Sequence, residues 1–147
     1  MPIRLGMQAK LYYKTGGVAA VGPWLELGNV KDLTLNLETG EADVTTRANA
    51  GWRATVGTLK EGSIEFEMVW DTGDAGFTAI KDAFLGNTAI GLAVMDQDIA
   101  DSGSQGLQAD CSITSFSRSE ALEEAIMVSV TAKPTYSTTA PAWVTVP

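Results

Sequence analysis

Three sets of side chains in this sequence could do chemistry. Asp96, Asp98 and Asp101 in MDQDIADSG place carboxylates at nearly alternating positions, the way a loop converges oxygen ligands on a hard cation such as calcium. The match fails in detail: Ala100 occupies the next ligand position, the turn glycine is missing from its place and no Glu closes the loop. A solvated loop without a metal is therefore expected. Glu65 and Glu67 fall on one face of a strand, about 7 Å apart at a rise of about 3.4 Å per residue. Such a pair could serve acid–base hydrolysis of a glycoside, but no aromatic lining accompanies it, and a hydrated sheet face is the simpler reading. Cys111, the only cysteine, sits among alternating apolar residues and reads as a small core side chain.

The missing residue types narrow the field further. There is no histidine, which removes Ser-His-Asp and Cys-His nucleophile pairs, His-ligated zinc and the commonest general base. No glycine-rich phosphate cradle is present, since Asp71-Thr72-Gly73-Asp74 is an acidic turn with no Lys after it. Ten Lys and Arg against eighteen Asp and Glu leave a formal charge of −8, a surface that repels phosphate, and no basic cluster offsets it. No catalytic residue, cofactor or metal is assigned, and the chain is not expected to be an enzyme. MPIRLGMQAK holds no apolar run of signal-peptide length, and no segment approaches the roughly 20 apolar residues of a membrane span. Cytoplasmic synthesis and no membrane binding are the corresponding expectations.

The elements that must position these residues read mostly with a period of two. Strands are predicted at Gln8–Tyr13, Leu25–Leu27, Val30–Leu37, Trp52–Val56, Ser63–Trp70, Ala89–Met95, Leu107–Phe116 and Ile126–Lys133. Leu33, Leu35 and Leu37 share one face, opposite Asp32, Thr34 and Asn36; Ile64, Phe66, Met68 and Trp70 alternate with Ser63, Glu65, Glu67 and Val69. One segment breaks the period: Asp74 caps a helix in which Phe77, Ile80, Phe84 and Leu85 fall on one face before Gly86-Asn87 ends it. Ser119–Glu124 is either a second helical turn or a bulged turn. Loops are predicted at Thr15–Pro23, Glu38–Gly51 and Gln97–Gly106, and an extended C-terminal arm over 134–147. A chain of 147 residues needs one domain, with a core over about residues 5–133. Of the four tryptophans, Trp70 shares the apolar face of its strand and reads as core, whereas for Trp52 and Trp143, at the ends of loop-like segments, a partner interface competes evenly with a place in the core.

The stretch Glu41–Gly62, EADVTTRANAGWRATVGTLKEG, resembles the phage tail tube protein family, the major tail proteins of long-tailed phages and the related tubes of injection systems. The likeness rests on Asp43-Val44-Thr45-Thr46-Arg47, the Gly51-Trp52 pair and the strand that follows. Upstream, Trp24-Leu25-Glu26-Leu27-Gly28-Asn29-Val30 with Leu33, Leu35 and Leu37 is similar to the family's opening strands, and the helix and later strands follow in its order.

The resemblance implies a mainly-β fold, a sandwich or barrel of antiparallel strands with one flanking helix, extended loops and a C-terminal arm. It implies a structural subunit: six copies join sheets edge to edge into a ring, rings stack into a tube, and loops and arms reach the neighbouring ring. DNA passes through without specific binding. Subunit contacts are expected at Asp43, Val44, Thr45, Thr46, Arg47, Trp52, Arg53 and Trp143, and the lumen at Asp32, Glu65, Glu67 and Asp110. Tape-measure, tail terminator and tail-tip proteins are the implied partners, the virion tail the implied location, and host cytoplasm the site of assembly. Two alternatives stand beside this reading: the tube of a contractile injection device or type VI secretion system, and a lone β-sandwich binding module such as an adhesin or carbohydrate binder.

Overall fold

The computed structural model describes residues 3–120 and 122–147. It contains strands β1 (Lys10–Thr15), β2 (Leu25–Glu26), β3 (Val30–Asp43) and β4 (Thr55–Val69), helix α1 (Ala75–Leu85), then β5 (Ile90–Met95), β6 (Gln105–Ser119), β7 (Met127–Pro134) and β8 (Ala142–Thr145). Seven strands form one curled antiparallel sheet in the order β2-β1-β5-β6-β7-β4-β3, and β8 adds to β6 just beyond the point where β7 leaves it. The chain thus adopts the expected mainly-β architecture with one flanking helix, the sheet curling into a half-barrel.

Period-two burial builds the core on one face. Ile64, Phe66 and Met68 of β4 are buried, and Val128, Val130 and Ala132 of β7 with Ala109, Cys111 and Ile113 of β6 continue the layer. Thr114 is an extra residue in β6 opposite β7, and this bulge shifts the alternation so that Phe116 returns to the core face after Ile113. Helix α1 closes the layer. Its Asp74 N-cap accepts a 2.9 Å hydrogen bond from Phe77 N–H, which satisfies one of the free amides of the first turn. Phe77 and Ile80 are buried, Phe77 meets the Trp70 ring edge-on at 4.8 Å, and Phe84 stacks on Phe116 at 5.7 Å. Leu85, expected on the same apolar face, is exposed as the last helical residue.

The other face of the sheet divides in two. Over β1, β5 and the first half of β6, Tyr12, Ala93 and Met95 are covered by Trp24, Ile99 and Val146. Over the second half of β6 and over β7, β4 and β3, the face is open to solvent at Thr34, Asn36, Glu65, Ser117 and Ser129.

Several local expectations change. Glu38–Gly51 is not one loop: β3 runs on to Asp43 and β4 starts at Thr55, so the two strands pair in register from Val30↔Met68 to Asp43↔Thr55 as a long hairpin. Trp52 lies in the hairpin tip and not in a strand. Pairing of β4 with β7 stops at Ile64↔Ala132, so the outer part of the hairpin has no third strand and both its faces are wet. Leu37, expected beside Leu33 and Leu35 on the apolar face, is therefore exposed. The segment after Pro134 folds back along its own sheet, with Gln105↔Thr145 and Leu107↔Trp143 in register. In the predicted turn Ser119–Glu124, Ser119 ends β6, residues 122–124 form a turn and bend, and Ala121 lies outside the described residues.

Candidate assembly interface

The hairpin tip is held by its own polar residues. Asp43 accepts a 2.9 Å hydrogen bond from Thr45 N–H. The Thr45 hydroxyl accepts from Ala54 N–H at 2.9 Å and lies 3.3 Å from the Ala54 carbonyl, while Val44 N–H donates to that carbonyl at 3.0 Å. The side-chain and backbone donors of Thr45 hold the Asp43 carboxyl below its ordinary value. A short helical turn, Arg47–Asn49, then leads into Ala50 and Gly51, both at positive φ, where glycine is the unstrained choice and which reverse the chain into Trp52. The run Asp-Val-Thr-Thr is thus a closure for an otherwise unsupported tip. Asp43 and Thr45 act within the subunit, while Val44, Thr46, Arg47, Trp52 and Arg53 all point to solvent, Trp52 with 78% of its surface exposed.

Among the described residues two long strand edges are left open, besides the short ones of β2 and β8. β3 is the last strand of the sheet, so one side of its 14 residues has no partner. β6 pairs with β5 only as far as Cys111, so from Ser112 to Ser119 it has β7 on one side and no strand on the other. Together β6, β7, β4 and β3 make a four-stranded section with a free edge at each end. Exposed edges of this length are templates for pairing with another chain.

The solvent face of that section is hydroxyl-rich. Glu65 stands between Thr34 and Thr131, and Glu67 beside Ser129, with Ser115 and Ser117 in the next rows. Asp32 is exposed at an extra residue in β3 opposite Glu67. Arg118 is turned to the core side, where its guanidinium lies 5.0 Å from the Trp70 ring centroid. Asp110 differs from the other three lumen candidates, because it is only 5% exposed. Its carboxylate accepts from Val18 N–H at 2.7 Å and from the Ser137 hydroxyl, and its carbonyl accepts from Thr135 N–H at 2.9 Å. It fastens the loop after β1 and the C-terminal arm to β6. A methyl group on Gly17 would sit 2.6 Å from its Oδ1, which explains the glycine there. Sequence reasoning had no signal for this bond set, whose partners lie 92 and 27 residues away.

The remaining chemical candidates resolve into structure. Asp96 accepts from Gln105 N–H at 2.9 Å, and Asp98 accepts from Ala100 N–H and pairs with Lys10 at 3.7 Å. Among the described residues no group of His, Cys, Asp and Glu side chains could hold a metal ion, and no helix is long and apolar enough to cross a membrane. Cys111 is fully buried, and burial pushes its thiol up to about 12. Trp143 is half exposed and donates its indole N–H to Gln105 at 3.1 Å.

Below the outer hairpin the sheet forks. β4 from Lys60 to Ser63 and the β6–β8 pair diverge past Pro134, leaving a slot of about 870 Å³ lined by Leu37, Glu38, Glu61, Leu107, Pro141 and Trp143, among others.

Known proteins share this architecture. The tail of an empty gene transfer agent particle, refined helically with C6 symmetry, superposes with a TM-score of 0.74 at 17% identity, covering 99% of this chain and 100% of that one. The SPP1 tail tube gives 0.72 at 20% identity over 89% of this chain and 75% of that one. A chain of the six-fold symmetrised baseplate of the anti-feeding prophage gives 0.63 at 6% identity over 99% and 97%. At these identities the likeness is one of fold. No curated protein matches the chain significantly. A family model described as phage tail tube protein matches residues 11–135, which include the hairpin, the helix and all strands but β8 and the first residue of β1. The chain therefore belongs to the phage tail tube protein family, whose members are structural subunits and not enzymes.

Proposed function

We propose that six copies of this subunit close into a ring, that rings stack into the tail tube of a phage-like particle, and that DNA passes through the bore. The observation that carries the reading is the four-stranded section with a free edge at each end. Placing β3 of one copy beside Ser112–Ser119 of the next satisfies both rows of unpaired backbone groups, and a contact of this head-to-tail kind closes into a ring at a fixed number of copies. The C6 symmetry of the gene transfer agent tail supports six. Four strands from each of six copies, spaced about 4.8 Å and tilted about 40°, give a barrel roughly 45–50 Å across between backbones, wide enough for a DNA duplex.

The bare hydroxyl face then lines the bore, with the interface at the hairpin and edges. Ser and Thr hydroxyls keep a water layer without offering a cation, and Asp32, Glu65 and Glu67 repel phosphate. Six copies at −8 each put −48 on a ring, so a duplex would slide past without being held. The location proposed is the virion tail, with assembly in the host cytoplasm and tape-measure, tail terminator and tail-tip proteins as partners. Electron microscopy of the purified chain tests the reading: six-fold rings or tubes are expected, and a strict monomer at every concentration and salt, with initiator proteins supplied, would overturn it.

A further inference from the structure

The free edges at the two ends of the four-stranded section differ in charge. β3, VKDLTLNLETGEAD, carries Asp32, Glu38, Glu41 and Asp43 against Lys31 alone, all of them exposed. Among the described residues none of these carboxylates has an ion-pair partner. The free part of β6, SITSFSRS, holds five hydroxyls and no carboxylate, and its one charged side chain, Arg118, is paired with Glu120.

In a solution of identical chains the β3 edge has two possible partners. Another β3, antiparallel about a two-fold axis, gives a closed dimer that cannot grow; β6 of another copy gives a head-to-tail contact that leaves an edge free for the next. In the dimer a net −3 on one strand stands about 4.8 Å from −3 on the other, and Lys31 can neutralise only one facing carboxylate. That spacing lies inside the Debye length of about 8 Å, so physiological salt leaves the repulsion in place.

Against β6 the same acids meet hydroxyls. In a barrel of four strands from each of six copies, a tilt of about 35–40° offsets successive copies by about four to five residues along the strands, and only an even offset keeps the bare faces on one side. An offset of about four in one direction leaves only Ser112 to Ser115 beside β3. In the other direction the whole of Ser112–Ser119 lies along β3, and the row Ser115-Thr131-Glu65-Thr34 continues into Ser119 of a neighbouring copy. Glu38 then faces Ser115, Asn36 faces Ser117, and Leu37, 54% exposed in the single subunit, is covered by Phe116. We infer that the carboxylates of β3 select its partner: they reject a second β3, which would end assembly as a dimer, and admit the hydroxyl edge of β6. The inference rests on the ring reading above and adds to it how identical chains avoid the closed pairing.

Engineered cysteines read the choice, since Cys111 is buried. Asn36→Cys and Leu37→Cys, made singly, sit on the axes of the two central β3–β3 registers that keep like faces together. Oxidised as dilute subunit, either chain should give little disulfide dimer, and roughly tenfold more when D32N, E38Q and E41Q are added. A control with D82N, D101N and E124Q, exposed carboxylates away from β3, has the same net charge and should dimerise no more than the acidic-edge chain. Equal dimer yields from acidic and neutral edges, or an equal rise in the control, would overturn the selection. Asn36→Cys and Ser117→Cys in one chain lie three strands apart and cannot close internally, so in rings they should give covalent multimers. Rings without those multimers would overturn the facing of acids onto hydroxyls. Failure of the unaltered protein to form rings would remove the ring reading, while the dimer yields still decide whether the acids reject a second β3.

Discussion

Trp52→Ala separates assembly from folding most sharply when set against Phe66→Ala. Phe66 is 3% exposed within the core, and removing its ring should cost the subunit about 3–5 kcal/mol. For a domain of this size that lowers the melting temperature by roughly 10 °C. Trp52 is 78% exposed, so its loss from the isolated subunit should change stability by no more than about 0.5 kcal/mol. The effect on assembly is of another order. A tryptophan offers up to about 250 Å² to a partner, and covering the exposed 78% of it at about 25 cal/mol per Å² sets an upper limit of about 4–5 kcal/mol per contact. Ordering the tip and covering the ring incompletely reduce this to about 2–3 kcal/mol, a factor of roughly 30–150 in each contact's equilibrium. Circular dichroism melting of dilute subunit, with light scattering to find the concentration at which tubes appear, measures both quantities. Should Trp52→Ala unfold the subunit as badly as Phe66→Ala, the ring belongs to the fold; should it alter neither property, the tip is a passive connection.

Other outcomes follow from the same geometry. Asp110→Ala should destabilise the subunit by about 2–3 kcal/mol through loss of its charged hydrogen bonds, and should expose the arm after Pro134 to protease before global unfolding; an arm as resistant as before would show that β8 pairing alone holds it. The Cys111 thiol should not react with an aromatic disulfide reagent in the native subunit at neutral pH, and should react at once in denaturant. Amide exchange over 38–62 should be fast in the free subunit and strongly slowed in the tube, since an isolated two-stranded hairpin is marginal in water; equal protection in both would make it self-supporting. Assembly should improve from very low to physiological salt, where the Debye length of about 8 Å screens repulsion between subunits carrying −8 each. Dissociation over that range would mean that the inter-subunit ion pairs outweigh the net repulsion.

The parts of this fold that are legible in the sequence are those where one face is buried. Ile64-Glu65-Phe66-Glu67-Met68 alternates because β4 lies there between β3 and β7 over the core, and Asp74 with Phe77 and Ile80 marks the helix because cap and apolar spacing agree. The same strand becomes illegible at Thr55–Gly62. Both of its faces are wet, so nothing imposes alternation, and Gly57 and Gly62 mimic loop punctuation. A methyl added at Gly62 would sit 3.1 Å from the Leu37 side chain, and one at Gly57 would sit 3.0 Å from that of Thr39. The proposed assembly surfaces are legible in the sequence only as residue types without geometry. Arg47, Trp52 and Trp143 stand out in composition, but the slot between Leu37 and Trp143 depends on where β7 stops and β8 begins, more than sixty residues along the chain from the end of the hairpin. Asp110 reads in the sequence as one more polar alternate, because the loop after β1 and the C-terminal arm that it fastens are both remote along the chain.

The central claim is that free edges at β3 and Ser112–Ser119 join neighbouring copies with the hydroxyl face inward. High-resolution electron cryomicroscopy of tubes grown from the purified chain tests it most directly. The predicted map shows six copies per ring, main-chain hydrogen bonds between β3 of one copy and the second half of β6 of the next, and Glu65 and Glu67 lining the bore. A map in which α1 faces the lumen, or in which β3 remains unpaired in a closed ring, would contradict it.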